Sequence, residues 1–294
     1  MSTEKDPIAV DISAWVERSR HDPQRYLERQ ATEVLLAAIG QSAAYGDRLY
    51  LKGGTLMGVV YGSPRQTADL DFTAGFSPDN QIEEELRAAL DTELRRAAAR
   101  IGYPALECRV QSIKRQPRRD CFVEADFPAL DMKIAYAERD TRPHKQLQVG
   151  QCPTVLKMEV SFKEPVHAVQ LVRLGPEGSP GVRVYSLVDV MAEKLRALLQ
   201  QTIRGRNRRQ DIYDLDFLLR LFPPTYEVIR EIHEAFLSKS RSRGIEPRPD
   251  SLADPEVKRH AEAEWHTLAL ELGELPPFPH AYANVEAFYR SLPW

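Results

Sequence analysis

Nowhere does this 294-residue sequence run apolar for the roughly twenty residues that a membrane-spanning helix needs. Its first twenty residues carry charge where a secretory leader would carry an apolar stretch, so a cytosolic location is the expectation. Cysteine is scarce: Cys108, Cys121 and Cys152 are odd in number, widely spaced and in no CxxC arrangement, which excludes a disulfide framework and a zinc ribbon and leaves reduced thiols. The seven histidines form no metal-ligand spacing, and HExxH is absent. Internal repeats and low-complexity tracts are missing too. Nor does one sign of charge dominate: 40 Lys and Arg stand against 43 Asp and Glu, for a net −3. The chain as a whole is not a polyelectrolyte binder of nucleic acid, and any such binding has to be local. Three basic patches are candidates: Lys114, Arg115, Arg118 and Arg119; Arg204, Arg206, Arg208 and Arg209; and Lys239, Arg241 and Arg243.

What is present is the balance of a globular protein, 43% hydrophobic and 28% charged. Asp22-Pro23 is a helix start, a capping side chain followed by proline at the first helical position. Tyr26, Leu27, Ala31, Val34, Leu35, Ala38 and Ile39 then recur at helical spacing. "RLYLK" reads as a strand closed by Gly53-Gly54, "TLMGVVYG" as a short helix and "DLDFTAG" as a second strand. The segment from Asn80 to Gly102 is a long helix striped by Ile82, Leu86, Leu90, Leu94 and Ile101, with Glu83/Arg87 and Asp91/Arg95 at ion-pair spacing. Further strands are expected at "LECRVQSI", "LDMKIAYA", "VLKMEVSF", "HAVQLVRL" and "VRVYSL". From Ser186 onward the strong signals are helical. Ser186 and Asp189 have capping-box spacing, "RQDIYDLDFLLRLF" and "TYEVIREIHEAFLS" are helices, and one helix is expected over "DPEVKRHAEAEWHTLALEL", with "GIEPRPD" and "LPPFPH" as connectors. The fold class is mixed α and β, with an α/β domain over residues 1–185 and a helical domain over 186–294.

The chemistry gathers in "LKGGTLMGVVYGSPRQTADLDF". Strand side chains alternate, so Asp69 and Asp71 share one face while Leu70 and Phe72 share the other. Neighbouring like charges are costly to hold together, and a divalent cation is the usual remedy, although an ordinary half-exposed strand has the same pattern. Gly53-Gly54 ends a strand and opens a helix, which lets backbone N–H groups approach an anion, with the Thr55 hydroxyl as a further donor; a plain tight turn is the alternative. Arg65 and Thr67 in the connecting loop are placed to reach the same charge. A phosphate cradle beside a metal-binding acid pair is the equipment of phosphoryl or nucleotidyl transfer. A two-metal site takes a further carboxylate from a neighbouring strand, for which Glu159 is the candidate and Asp131 the competitor.

Lys194 lies near the middle of the apolar arc made by Leu187, Val190, Met191, Leu195 and Leu198. An ammonium there must snorkel out to solvent or find an anion, a triphosphate being the obvious one. Asp211 falls inside the apolar arc of the next helix, either as an acid useful to the site or as one favourable to the helix dipole. Asp214 and Asp216, near the edges of that arc, read as structural. The turn between the two helices carries Arg204, Arg206, Arg208 and Arg209, which makes this patch the RNA-binding candidate.

Taken in order, "LKGGTLMGVVYGSPRQTADLDF", "LKMEVSF", "VDVMAEKLRALLQ" and "RNRRQDIYDLDFLL" resemble the AbiEii/AbiGii (MenT-like) nucleotidyltransferase toxins, distant relatives of the DNA polymerase β type of nucleotidyltransferase. The similarity spans roughly Leu49 to Leu219. It implies a nucleotidyltransferase fold, a small mixed sheet with a helical C-terminal part that contributes Lys194 and Asp211 to the site. It also implies Mg²⁺- or Mn²⁺-dependent transfer of a nucleoside monophosphate from NTP to RNA, the tRNA 3′ end in MenT-type members, with release of pyrophosphate. The setting implied is a toxin–antitoxin or abortive-infection system with an AbiE-type antitoxin. By this resemblance Asp69 and Asp71, with Glu159, bind metal, Gly53, Gly54 and Thr55 form the phosphate turn, Lys194 contacts the triphosphate, and Asp211 is the acid of the last motif. The alternatives are a small-molecule or protein hydroxyl as acceptor, or a catalytically idle NTP- or RNA-binding module.

Overall fold

A computed structural model describes residues 7–67, 69–118 and 121–294. The chain divides into two compact units, one of residues 1–60, 67–164 and 170–184, the other of residues 61–66, 165–169 and 185–294.

The first unit begins with β1 (Ile8–Ala9) and α1 (Ile12–Glu17), two short elements that carry too few residues for a period to register in the sequence. The helix expected after Asp22 is α2 (Pro23–Gln41); the Asp22 carboxylate accepts from the N–H of Arg25, and Val34, Leu35, Ala38 and Ile39 are buried. Near its end Gly40 admits no side chain, since a Cβ there would lie 2.2 Å from the carbonyl oxygen of Gly181. Then follow β2 (Leu49–Lys52), α3 (Gly53–Val59), β3 (Asp69–Ala74), α4 (Ile82–Ile101), β4 (Leu106–Gln116), β5 (Ala129–Glu138), α5 (Arg142–Gln148), β6 (Val155–Ser161), β7 (Val169–Arg173) and β8 (Gly181–Tyr185). Among the described residues these strands make one eight-stranded mixed sheet in the order β1-β7-β8-β2-β3-β6-β5-β4.

Across its centre the sheet separates side chains by type. Leu70, Phe72, Leu130, Met132, Met158 and Val160 are buried, whereas the residues between them in sequence are polar. Among the described residues Glu83/Arg87 and Asp91/Arg95 do not pair along α4 as their spacing suggests, although Arg96 does pair with Glu93. Glu83 takes the Arg115 guanidinium at 2.7 Å, Arg87 donates to the Val110 carbonyl at 2.6 Å, and Asp91 accepts from the Val110 N–H at 2.8 Å. All three fasten α4 to β4, because backbone groups at the β4 bulge beside Val110 need partners more than exposed helical charges need each other.

The second unit is helical: α6 (Leu187–Arg204), α7 (Arg209–Leu221), α8 (Tyr226–Arg241), α9 (Pro255–Glu262), α10 (Ala269–Leu272) and α11 (Phe278–Arg290), with short 3₁₀ turns at Ser251–Ala253 and Trp265–Leu268. The single helix expected over "DPEVKRHAEAEWHTLALEL" is broken, with Glu264 at φ +60. The break seats Trp265, whose indole N–H donates to the Pro276 carbonyl at 3.0 Å and whose ring meets Phe278 edge-on at 5.3 Å. α11 starts in what reads as a connector. Its stripe of Phe278, Tyr282, Val285 and Tyr289 is at helical spacing and fully buried.

At the start of α6 the capping box is half realised. Ser186 Oγ accepts from the Asp189 N–H, but the Asp189 carboxylate turns to the N–H groups of His167 and Ala168 and to the Lys239 ammonium at 2.9 Å. Lys239, read from sequence as part of a basic patch, is buried. Among the described residues no helix is long and apolar enough to cross a membrane.

Removing one partner of a buried ion pair strands the other charge and the donors around it. Asp189→Ala is therefore expected to lower unfolding stability by about 3–5 kcal/mol in urea titration. Glu256→Ala, at the exposed Arg259 pair, is expected to leave the midpoint unchanged.

Candidate active site

In the first unit the site starts at the junction of β2, α3 and β3. β2 runs antiparallel to β3 with Lys52 opposite Asp71, and β3 runs parallel to β6 with Asp71 opposite Glu159 and Asp69 opposite Lys157. Burial of Leu70 and Phe72 leaves Asp69 and Asp71 on the other face, the one predicted from alternation. Gly53 has φ +70, and a Cβ built on it would stand 2.1 Å from Asp71 Oδ2. The carboxylate thus rests against the bare backbone of the turn, which needs glycine for both its conformation and its space.

No side chain caps the first turn of α3, so its leading N–H groups remain available to an anion. The Thr55 hydroxyl is already committed, donating to the Asp69 carbonyl at 2.9 Å and so tying α3 to the start of β3. Thr67 is half-buried just ahead of β3. Glu159 is exposed on β6 and accepts from Ser161 Oγ at 3.1 Å. Asp131 lies opposite Glu159 on β5, one strand further from Asp71, where Gln116 donates to it at 2.8 Å.

Sequence reasoning passed over Lys52. It is buried at the end of β2, and its ammonium donates to Ser161 Oγ at 3.3 Å and to Glu164, which also accepts from the Thr73 hydroxyl at 3.1 Å. The signal was there to be used: a lysine at the last strand position directly before the glycine turn.

Among the described residues no group of three or more His, Cys, Asp and Glu side chains is assembled as a ready metal cage. The donor set still suits a hard cation. Magnesium commonly takes only one or two protein carboxylates and completes its shell with water and substrate phosphate, and Asp69 with Asp71 beside an uncapped turn supplies that kind of partial shell.

In the second unit the two acids and the lysine form one buried cluster. The Lys194 ammonium donates to Asp214 at 2.6 Å and to Asp211 at 3.1 Å. Arg65 does not stand free in its loop: its guanidinium grips Asp214 in bidentate fashion at 3.1 and 3.2 Å. Asp214, structural by its place on the helical arc, is the centre of the cluster and fully buried. Its second cation arrives from a distant loop, which no helical projection reveals. Asp216 accepts from Arg220 at 3.0 Å and Asn284 at 2.8 Å.

Burial by itself opposes every charge in the cluster, yet the charges win. Desolvation would raise the Asp214 carboxyl, but Lys194 and Arg65 hold it below the ordinary value; desolvation would lower Lys194, but Asp214 and Asp211 hold it above.

Within the arginine patch, Arg209 pairs with Glu264 at 3.1 Å and Arg208 lies 3.9 Å from Asp211, while Arg204 and Arg206 are exposed. In the other two patches Arg115 and Lys239 are held by carboxylates, and Arg119 lies outside the described residues.

A carboxyl depressed in the folded state adds stability above its unfolded value, about 3.9, and that stability is lost as pH falls through the folded value. Asp214→Asn is accordingly expected to lower stability by about 3–5 kcal/mol at pH 7. The gap to the parent should narrow as pH falls below about 4, read from urea midpoints across that range.

No curated protein matches this chain. Among solved structures it is similar to JHP933 from Helicobacter pylori, at 16% identity and a TM-score of 0.51 over 92% of each chain. It is also similar to MenT4, a nucleotidyltransferase toxin from Mycobacterium tuberculosis, at 18% identity and a TM-score of 0.49, over 96% of this chain and 98% of that one. The likeness to JHP933 concerns the fold, a mixed sheet followed by helices. A family model described as the nucleotidyl transferase AbiEii toxin of a type IV toxin–antitoxin system matches residues 34–288, which takes in the glycine turn, the acids of β3 and the Lys194 cluster. The chain belongs to the AbiEii family of nucleotidyltransferase toxins, which act within type IV toxin–antitoxin systems opposite a cognate antitoxin.

Proposed function

We propose that this toxin transfers a nucleoside monophosphate from NTP to the 3′ end of an RNA, with tRNA as the acceptor, and releases pyrophosphate. The observation that carries the reading is the seat of Asp71 against Gly53, with Asp69 two residues away on the same face. A turn that presents backbone N–H groups for phosphate is thereby joined to carboxylates suited to the cation that accompanies it.

Asp69 and Asp71 would hold a divalent cation, Mg²⁺ or Mn²⁺, which supplies neutralisation of the triphosphate charge. The acceptor's terminal hydroxyl attacks the α-phosphorus in line; the new O–P bond forms as the bond from the α-phosphorus to the bridging oxygen breaks, and pyrophosphate leaves with that electron pair. Glu159, the third carboxylate, would join Asp69 and Asp71 at the cation, and it takes the hydroxyl proton. It is preferred to Asp131 because it stands directly opposite Asp71, whereas Asp131 is one strand further and held by Gln116. The N–H groups after Gly53 and Gly54 receive the phosphate charge. Lys194, kept protonated by Asp211 and Asp214, has the charge state that a phosphate-contacting lysine requires. Arg204 and Arg206 are exposed and suited to RNA phosphates.

With purified protein, Mg²⁺ and unfractionated tRNA, one or more of the four labelled NTPs is expected to label the RNA. Asp69→Ala combined with Asp71→Ala should reduce labelling on the order of a hundredfold or more. Gly53→Ala, which drives a methyl into the Asp71 carboxylate, should cut turnover while the protein remains folded by circular dichroism. Unlabelled tRNA with every NTP overturns the reading, and label appearing in protein or in a small hydroxyl compound reassigns the acceptor.

A further inference from the structure

The open face of the central sheet carries three lysines among its acids, two of them directly opposite each other. Asp71 on β3, Glu159 on β6 and Asp131 on β5 form one cross-strand row. Two residues along, Lys157 on β6 stands directly opposite Lys133 on β5, and Lys114 on β4 closes the acid row beside Asp131. Like charges directly opposite each other destabilise a sheet, and the ordinary arrangement sets a lysine against an acid. Here Asp69 faces Lys157 and Asp131 faces Lys114 in the ordinary way, but Lys157 also faces Lys133 directly.

All three lysines are exposed and line one cleft of about 330 Å³ together with Asp69, Asp71, Asp131 and Glu159. Among the described residues no carboxylate makes an ion pair with any of them; even Asp131, opposite Lys114, is engaged by Gln116. A face that keeps cations together at the cost of mutual repulsion is suited to an anion with several charges.

Distance separates this anion from the triphosphate. Neighbouring strands stand 4.7–4.9 Å apart, so Lys157, Lys133 and Lys114 lie about 10, 14 and 19 Å across the sheet from β2, where the glycine turn begins. A triphosphate seated on that turn is too short to reach β5 or β4. The anion that meets the lysines is a second, extended one, and it starts beside Glu159, where the proposed acceptor hydroxyl is deprotonated.

We propose that Lys157, Lys133 and Lys114 form the track along which the sugar–phosphate backbone of the acceptor RNA lies, delivering its 3′ hydroxyl to Asp71 and Glu159. This rests on the reading of RNA as acceptor. The lysines position the acceptor and contribute nothing to NTP binding.

The test compares the full chain with a K114Q/K133Q/K157Q variant. Affinity for a fluorescently labelled tRNA pool is measured as a function of salt, and NTP affinity is measured separately by calorimetry. Each phosphate contact made to a single strand contributes about 0.7 to the slope of log affinity against log salt, so the variant's slope should be shallower by about 2. Its KM for tRNA should rise at least tenfold, with NTP affinity unchanged within twofold. An unchanged slope in a protein that still labels tRNA overturns the track and leaves the proposed function standing. NTP affinity falling in step with tRNA affinity also overturns it, by assigning the lysines to the triphosphate. A parent protein that labels no RNA with any NTP removes the proposed function and the track with it.

Discussion

The placement of every reactive group in the first unit follows from one constraint: Leu70 and Phe72 must be buried. β3 is paired on both sides, by β2 and by β6, so it has no freedom to slip by one residue without turning two large apolar side chains to the open face and two carboxylates into the core. The hydrophobic effect on one face of β3 thereby sets the electrostatics of the other. The pleat that seats Phe72 among apolar neighbours also aims Asp71 at the glycine turn, where the missing side chain of Gly53 leaves room for the carboxylate.

The second unit solves the opposite problem. Its ionic groups are taken out of water, and desolvation is offset only because each charge meets more than one partner: Asp214 has Lys194 and Arg65, Lys194 has Asp214 and Asp211, and Asp189 has Lys239 and two backbone donors. Such clusters tolerate no single deletion, because every member left behind remains buried and charged. They lock α6 to α7 and α8 more specifically than apolar packing alone would, since the geometry of several hydrogen bonds has to be met at once.

The two units thus use charge differently. In the helical unit, cations and anions are interleaved and nearly balanced. On the open sheet face Lys133 stands directly opposite Lys157 and Asp71 opposite Glu159, which leaves repulsion for a ligand to relieve. A cation answers the acids and a polyphosphate chain answers the lysines, and nucleotidyl transfer to RNA brings both.

Much of this could be read from the chain itself. Alternation in "DLDF" determined which side chains share a face, the helical arc around Lys194 showed that its ammonium had to snorkel out or find an anion, and the ordered motifs carried the family. α11 was legible in the spacing of Phe278, Tyr282, Val285 and Tyr289, yet prolines at its start masked it. What local sequence could not supply is the pairing of distant segments. Whether Lys194 would meet phosphate or carboxylate depended on Asp214 and on Arg65 from a remote loop; whether Asp189 would complete its capping box depended on Lys239, fifty residues on. The same holds for Glu159 beside Asp71 and Lys133 against Lys157: period two fixes a face within one strand, but register between strands is set by packing against partners far away in the chain, and only the folded sheet decides it.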